Sequence, residues 1–426
     1  MERRTFLRTL AVAGSALGAG WLLRPRDRGA GGHDASFARL GRSLRAHGLA
    51  RPTMLLDLDA LDANIGAVVE AAAPRAFRIV AKSLPSLPLL EHVMKAAATD
   101  RLMLFHEPFL SAAAESCPGA DLLVGKPLPA AAADHFHRRP ARGPFDPTRQ
   151  LQWLIDTPER LRQYRELAAA HAIPLQVNIE IDVGLHRGGV DSPAGLTRML
   201  DAIAADPNLR FAGLMGYDPH VVAMPDLLGA RAREFGRVQA RYRAMVDAVR
   251  AHPADFAEDR LVFNTAGSPT YRLWSRVEGI ANEIAVGSGL VKPTDFDLTT
   301  LASHRPALYI ATPVLKATHG TAVPGLALVG DGQRAWNPNR ARTFFIYGGK
   351  WMARPVSPPG LVLNPLWGRS SNQEMLNGSN RVDLEVDDYV FFRPTQSESV
   401  MLQFGDIAVV RSGEIVDFWS PFPRVS

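Results

Sequence analysis

Phe77-Arg78-Ile79-Val80-Ala81-Lys82 precedes Ser83-Leu84-Pro85, so a short β-rich run ends in a lysine and a turn. It is one of a series. Met54–Asp57, Phe77–Lys82, Arg101–Phe105, Asp121–Gly125, Leu151–Asp156, Leu175–Asp182, Leu209–Tyr217, Leu261–Thr265 and Glu283–Gly287 are similar runs, separated by longer Ala/Leu/Arg-rich stretches. Such alternation predicts a parallel sheet built from βα units. Asp156-Thr157-Pro158-Glu159 and Asp191-Ser192-Pro193 mark helix starts, with a capping side chain ahead of a proline in the first turn. Eight βα units close a barrel, so one of the nine runs belongs elsewhere.

After residue 305 or so the helical periodicity stops. The clearest runs there are Ala307–Leu315, Arg342–Tyr347, Tyr389–Phe392 and Ile407–Val410, punctuated by Gly, Pro and Asn. They predict a separate β-domain. No repeat of fixed period is present.

With 46% hydrophobic and 21% charged residues over 426 positions, the chain can bury a large core in one big domain and a smaller one. Its formal charge of +5 is concentrated at the start, where Arg3, Arg4, Arg8, Arg24, Arg26 and Arg28 outnumber Glu2 and Asp27. The remaining body is nearly neutral and offers no footprint for a nucleic-acid backbone. Cys117 is the single cysteine, which excludes internal disulfides and multi-cysteine metal sites.

Glu2-Arg3-Arg4-Thr5-Phe6-Leu7-Arg8 leads into the small-residue apolar run Leu10 to Leu23, short for a membrane span. It resembles a twin-arginine signal, so residues 1–35 are read as a leader. The implied location is periplasmic, with the membrane involved only through the export signal, or as an anchor where the leader stays uncleaved.

Polar residues at the C-terminal ends of barrel strands are the first candidates for chemistry. Lys82, at the mouth of an apolar strand, is expected to be partly desolvated and able to form an imine. Arg187, in the glycine-rich turn Val183 to Val190, can donate paired hydrogen bonds to a carboxylate or a phenolate, or be tied to Asp182 or Glu180. The adjacent His186 reads as a turn residue. Tyr217 offers a ring to stack on a flat cofactor, and His220 a base. The loops Asn264-Thr265-Ala266-Gly267-Ser268 and Gly287-Ser288-Gly289 carry small residues and hydroxyls that let backbone amides approach a phosphate. His135-Phe136-His137 reads as solvated or structural.

These residues, in this order, resemble the alanine-racemase-like enzymes that use pyridoxal 5'-phosphate (PLP), in particular the group of D-threonine aldolase, D-serine dehydratase and amino-acid deaminase/aldolase. The similarity runs over roughly residues 50–405. It is carried by Arg78-x-x-x-Lys82-Ser83, by Glu180-Ile181-Asp182-Val183-Gly184-Leu185-His186-Arg187-Gly188-Gly189-Val190, by Gly267-Ser268-Pro269-Thr270 and by Gly287-Ser288. The resemblance implies a (β/α)8 TIM-type barrel over 59–304, with the strand at 50–58 joining a C-terminal β-domain over 305–426. It implies PLP on Lys82 as a Schiff base, with Arg187, Tyr217, Thr265, Gly267, Ser268, Gly287 and Ser288 around it. It also implies a homodimer and a small amino acid as substrate.

Two departures bear on the reaction. Arg393-Pro394-Thr395-Gln396-Ser397-Glu398 places Gln396 where D-threonine aldolases carry a metal-binding histidine. A neutral amide is a poor transition-metal ligand, so no divalent metal is expected, and Glu398 is expected to contact substrate. Ala285 falls near the place of the arginine that alanine racemases set beside the pyridine nitrogen. The expected activity is that of a lyase or deaminase on a D-configured β-hydroxy amino acid, with Lys82, Arg187 and His220 as catalytic residues. Racemisation, PLP binding without turnover and an exported ligand-binding barrel are the alternatives.

Overall fold

The computed structural model describes residues 24–139, 143–321, 327–364 and 368–423. Strand β1 (Thr53–Asp57) precedes β2 (Ala76–Val80), β3 (Arg101–Leu104), β4 (Asp121–Val124), β5 (Leu151–Ile155), β6 (Leu175–Ile181), β7 (Leu209–Gly216), β8 (Val262–Thr265) and β9 (Glu283–Val286). Strands β2 to β9 close a barrel in chain order, all neighbours parallel. The barrel shuts where β2 meets β9, with Phe77 opposite Ile284 and Ile79 opposite Val286.

Most barrel strands stop one or two residues before the β-rich runs do. Lys82, Phe105, Gly125 and Tyr217 therefore leave the ladder and form the rim. The helices follow their start signals: Thr157 accepts the N–H of Arg160 at 3.2 Å and Ser192 that of Gly195 at 3.3 Å, each ahead of a proline.

Two layers fill the barrel. Near the strand starts, Arg78 is fully buried and donates to Glu283 at 2.6 and 2.9 Å and to Asp121 at 3.0 Å. Arg101 and Asn264 each reach Glu283 at 2.7 Å. Burial alone raises the Glu283 carboxyl pKa, but the charges of Arg78 and Arg101 outweigh it and hold the net value down. Above this ring, Val80, Met103, Leu123, Leu154, Met215 and Ala285 form an apolar floor, with Phe105 packed against it.

The second unit comprises Tyr309–Pro394, Val410–Val416 and the described part of Met1–Leu55. Its strands are β10 (Leu308–His319), β11 (Arg342–Tyr347), β12 (Ala353–Ser357), β13 (Val362–Leu363), β14 (Gln373–Gly378) and β15 (Tyr389–Pro394), with the part of β16 (Ile407–Arg411) and of β17 (Glu414–Trp419) that falls within Val410–Val416. The sheet order is β13-β14-β11-β10-β1-β16-β17, with β15 pairing β10 and β12. The opening strand thus joins this sheet, as the family resemblance implies.

Three expectations are revised. A helix spans Ala327–Trp336, within the stretch after residue 305 where the sequence predicts no helical periodicity. Gly330 and Gly332 mask it, since each glycine costs about 1 kcal/mol against alanine in a helix interior. Thr395–Val409 and the described part of Asp417–Ser426 group with the barrel rather than with the β-domain. Asp295 N–H donates to Thr395 at 3.2 Å, Phe422 N–H to Pro85 at 2.8 Å, and Phe109 stacks on Phe422. The leader expectation covers residues 1–35: residues 1–23 lie outside the described residues, and Arg24 to Leu55 belongs to the second unit. Arg28 N–H donates to Asn339 at 2.8 Å, Asn339 returns a bond to the Arg26 carbonyl at 2.8 Å, and His33 meets Ser357 at 2.8 Å. No helix among the described residues is long and apolar enough to cross a membrane.

Candidate active site

The barrel strands end around a cavity of about 310 Å³. Its walls include Lys82, Arg187, Tyr217, Gly267, Ser268 and Ser288 from the sequence-predicted set, together with Gln396 and Glu398. The volume is that of a small-ligand site.

Lys82 sits in a 3-10 turn (Ala81–Ser83) just past β2. Its ammonium is 2.7 Å from Glu398 Oε1 and 5.4 Å from the centre of the Phe105 ring. The expected desolvation is not what the structure shows, because the turn lifts the side chain above the apolar floor and leaves it 44% exposed. A carboxylate at hydrogen-bond distance takes the place of an apolar wall.

Ser83, the next residue, points into the barrel and shares a hydrogen bond with Ser288 at 2.8 Å. Ser268 Oγ accepts the N–H of Gly289 at 2.8 Å and, at 3.3 Å, that of Gly287. Three neutral hydroxyls therefore converge; because the Gly287 and Gly289 amides donate to Ser268 Oγ, its own hydrogen is left to donate to an anion. Glycine is required beside them. A Cβ on Gly287 would lie 2.7 Å from Val80 Cβ and 2.8 Å from its carbonyl, and a Cβ on Gly267 would lie 2.5 Å from the Tyr217 ring.

Tyr217 follows β7, and Asp218 fixes its loop. Asp218 is fully buried and accepts from Thr270 at 2.6 Å and Trp274 Nε1 at 2.8 Å, which ties the end of β7 to the loop after β8. Burial raises the Tyr217 phenol above its ordinary pKa, with Asp218 and Glu398 adding to the rise and Arg187 opposing it. The Arg187 guanidinium lies 5.1 Å from the Tyr217 ring centre. It is 59% exposed and 3.9 Å from Glu180, beyond a hydrogen bond. Asp182 is committed to its own turn, accepting from Gly184 N–H, His186 N–H and His186 Nδ1 at 2.7 to 3.0 Å. His186 is thus a turn residue.

Three sequence-predicted residues lie off the cavity wall. His220 opens a short helix (His220–Ala223) behind the loop, with Nε2 3.4 Å from Glu234 and against Gly184. Pro219 already has helical backbone angles, and His220 is not among the residues lining the cavity, whereas Tyr217 is. Thr265 faces outward because neighbouring residues of a strand alternate sides, and Asn264 and Ala266 line the cavity in its place. Gly287 contributes through close backbone packing. His135 pairs with Glu107 at 3.2 Å on the helix Ala130–Arg138, apart from the cavity. Phe105 and Phe296 are wall residues that the sequence does not single out, and Ser83 and Asn264 stand in quoted motifs without an assigned role; position just past a strand end flags Ser83 and Phe105.

The residues present fit PLP: a primary amine at the rim, a neutral donor cradle that excludes side chains at Gly267 and Gly287, and a flat apolar floor between them. Ala285 is part of that floor, on β9 opposite Arg78 of β2. Gln396 donates to Asp295 at 2.9 Å. Among the described residues no group of three or more His, Cys, Asp or Glu is arranged to hold a metal.

The fold is shared with D-threonine aldolase from Filomicrobium marinum (TM-score 0.66, 19% identity, covering 88% of this chain and 97% of that one). D-threo-3-hydroxyaspartate dehydratase from Delftia sp. HT23 aligns with a TM-score of 0.65 at 17% identity, over 87% and 97%. In sequence, the chain is 27% identical over 202 residues to a 3-hydroxy-D-aspartate aldolase of Paracoccus denitrificans, 46% of this chain and 49% of that protein. It therefore spans about half the length of that curated relative. Residues 56–294, which hold the whole barrel and all of the cradle, match the family described as alanine racemase, N-terminal domain, and the chain belongs to that family.

Proposed function

We propose that this protein is a PLP-dependent lyase that cleaves or deaminates a small D-configured β-hydroxy amino acid. The observation that carries the reading is the Lys82–Glu398 pair, 2.7 Å apart, on a cavity that also holds the Ser83, Ser268 and Ser288 hydroxyls. Lys82 would hold the cofactor through its Nζ, and the hydroxyls of Ser83, Ser268 and Ser288 would hold its phosphate, with the Gly287 and Gly289 amides orienting Ser268. When bound, the cofactor supplies an electron sink for charge developing at the substrate α-carbon. Arg187 is placed to orient a carboxylate or the cofactor phenolate. Glu398 Oε1, in reach of Lys82 Nζ, is placed to accept the β-hydroxyl proton, the role that the sequence suggested for His220. The names of the relatives, aldolase and dehydratase, support a lyase.

The test begins with the purified protein and added PLP. A visible absorption band lost in Lys82→Ala is expected, and a colourless protein indifferent to PLP would remove the basis of the reading. The coloured protein is then mixed with D- and L-threonine, serine and alanine. Aldehyde or keto acid from a D-substrate is expected; interconversion of enantiomers alone would make the protein a racemase.

Export by the twin-arginine route and assembly as a homodimer belong to the same proposal, supported by Arg3-Arg4-Thr5-Phe6-Leu7 and by the family resemblance. Cell fractionation of wild type against a paired Arg3→Lys, Arg4→Lys variant tests the first. Light scattering of the holoprotein tests the second.

A further inference from the structure

The cavity is poor in positive charge. Among the described residues its charged wall residues are Lys82, Arg187 and Glu398, and the anion cradle holds no lysine or arginine. A phosphate in that cradle stays largely unneutralised. Lys82 is committed to the cofactor under the reading above, on which this inference rests. Arg187 is then the single cation left, and Glu180 at 3.9 Å draws on part of its charge. One guanidinium can serve one carboxylate or phenolate, so a second carboxylate on the substrate finds no partner. It meets Glu398 instead, whose carboxylate stands 2.7 Å from the amine to which the substrate is brought. The same rim carries Phe105 and Phe296, an apolar surface for an uncharged β-substituent.

We propose that Glu398 is a specificity-determining residue: it turns away substrates with an acidic side chain and leaves the Phe105–Phe296 rim to uncharged, apolar β-substituents. The protein thereby differs in substrate class from the relative named for 3-hydroxy-D-aspartate. The mechanism is like-charge repulsion at a site with no compensating cation, so it weakens with ionic strength.

The test uses the holoprotein and two unreactive carboxylates, 3-phenylpropionate and succinate, titrated calorimetrically at low salt. Neither has an amine, so binding is read apart from turnover. We expect 3-phenylpropionate to bind roughly tenfold tighter or more, Glu398→Gln to tighten succinate by roughly fivefold with little change for 3-phenylpropionate, and added salt to narrow the gap. Equal or tighter binding of succinate, an unchanged ratio in Glu398→Gln, or no binding of either ligand would overturn the proposal. The visible band is recorded first in each sample, so a failure of cofactor binding is seen separately from a failure of selectivity.

Discussion

Ser83 Oγ lies 2.8 Å from Ser288 Oγ, a bond that links the turn after the first barrel strand to the turn after the last. It spans the seam where the barrel closes, and each hydroxyl is oriented by the other before any ligand arrives. Removing one donor from such a cradle costs about 0.5–1.5 kcal/mol, and a bond to a charged phosphate about twice that. We expect Ser288→Ala to weaken PLP about tenfold and Ser83→Ala, Ser288→Ala together to weaken it further, with the fold intact. Absorbance titration checks this, and pyridoxal without its phosphate should bind both forms alike.

Gly287→Ala is predicted to be more damaging than either serine variant. The new methyl would press on Val80 Cβ and its carbonyl at 2.7 and 2.8 Å, and on Ser83 Oγ at 3.0 Å. Backbone cannot yield as a side-chain tip can, so overpacking of about 1–3 kcal/mol is expected together with loss of the cradle. Thermal melting should fall and cofactor uptake should fail in the same variant.

Glu283 compensates two guanidiniums at once, Arg78 at 2.6 Å and Arg101 at 2.7 Å. Glu283→Gln removes one of the two carboxylates paired with the fully buried Arg78 and leaves Asp121 at 3.0 Å, so the loss is expected at or below the about 3–5 kcal/mol of breaking a buried pair outright. The carboxyl is held below its ordinary value against burial, chiefly by Arg78. Its stabilisation is therefore complete above the unfolded carboxyl pKa near ~4.3 and is lost as pH falls through the folded value. Denaturant titrations of wild type should steepen in acid, and those of the variant should start lower and flatten.

The barrel was legible because each strand is a short apolar run between helical stretches, a pattern that survives at all nine positions from Thr53 to Val286. The cradle was legible because small residues at two successive strand ends admit few other uses. Two kinds of feature were hidden. Arg78 looks like an interruption in an apolar run, since its partners Glu283 and Asp121 are distant in sequence. Thr265 was misplaced because a strand end fixes which side chains face the cavity only to within one residue, and one residue reverses the face; His220 lies four residues past β7, where a short helix and not the strand sets its direction.

Gln396, which the family resemblance sets at the position of a metal-binding histidine, is spent on Asp295 at 2.9 Å. With an amide there and Glu398 available as proton acceptor, turnover is predicted to persist after exhaustive chelation. Strong inhibition reversed by a divalent ion would contradict this. Gln396→His should not by itself bring metal dependence, because imidazole and Glu398 supply two ligands where a protein site commonly uses three or more.

His304 stands behind the cradle and sets its rigidity. Its Nδ1–H donates to the Gly289 carbonyl at 2.7 Å, so neutral Nε2 accepts from the Tyr271 hydroxyl at 2.5 Å, and Arg272 Nε donates to that hydroxyl at 2.9 Å. Gly289 in turn presents its N–H to Ser268. Burial first, then the charges of Arg272 and Lys292, lower the His304 pKa to about 4, while the Gly289 bond opposes the shift. A histidine depressed in the fold binds fewer protons there than in the unfolded chain between pH 4 and 6.5, so its contribution is whole above the unfolded value near ~6.5 and is lost as pH falls toward the folded one. The size is on the order of 3 kcal/mol for a shift of this extent. Unfolding free energies of wild type should drop steeply from pH 7 to 5, and those of His304→Asn should start lower and change less. The same variant should bind PLP roughly threefold to tenfold more weakly at pH 7.5 through a loosened Gly289. An unchanged pH slope would show that His304 binds protons alike in the folded and unfolded chain, against this account, and unchanged cofactor affinity would show that the backbone at Gly289 holds its position without it.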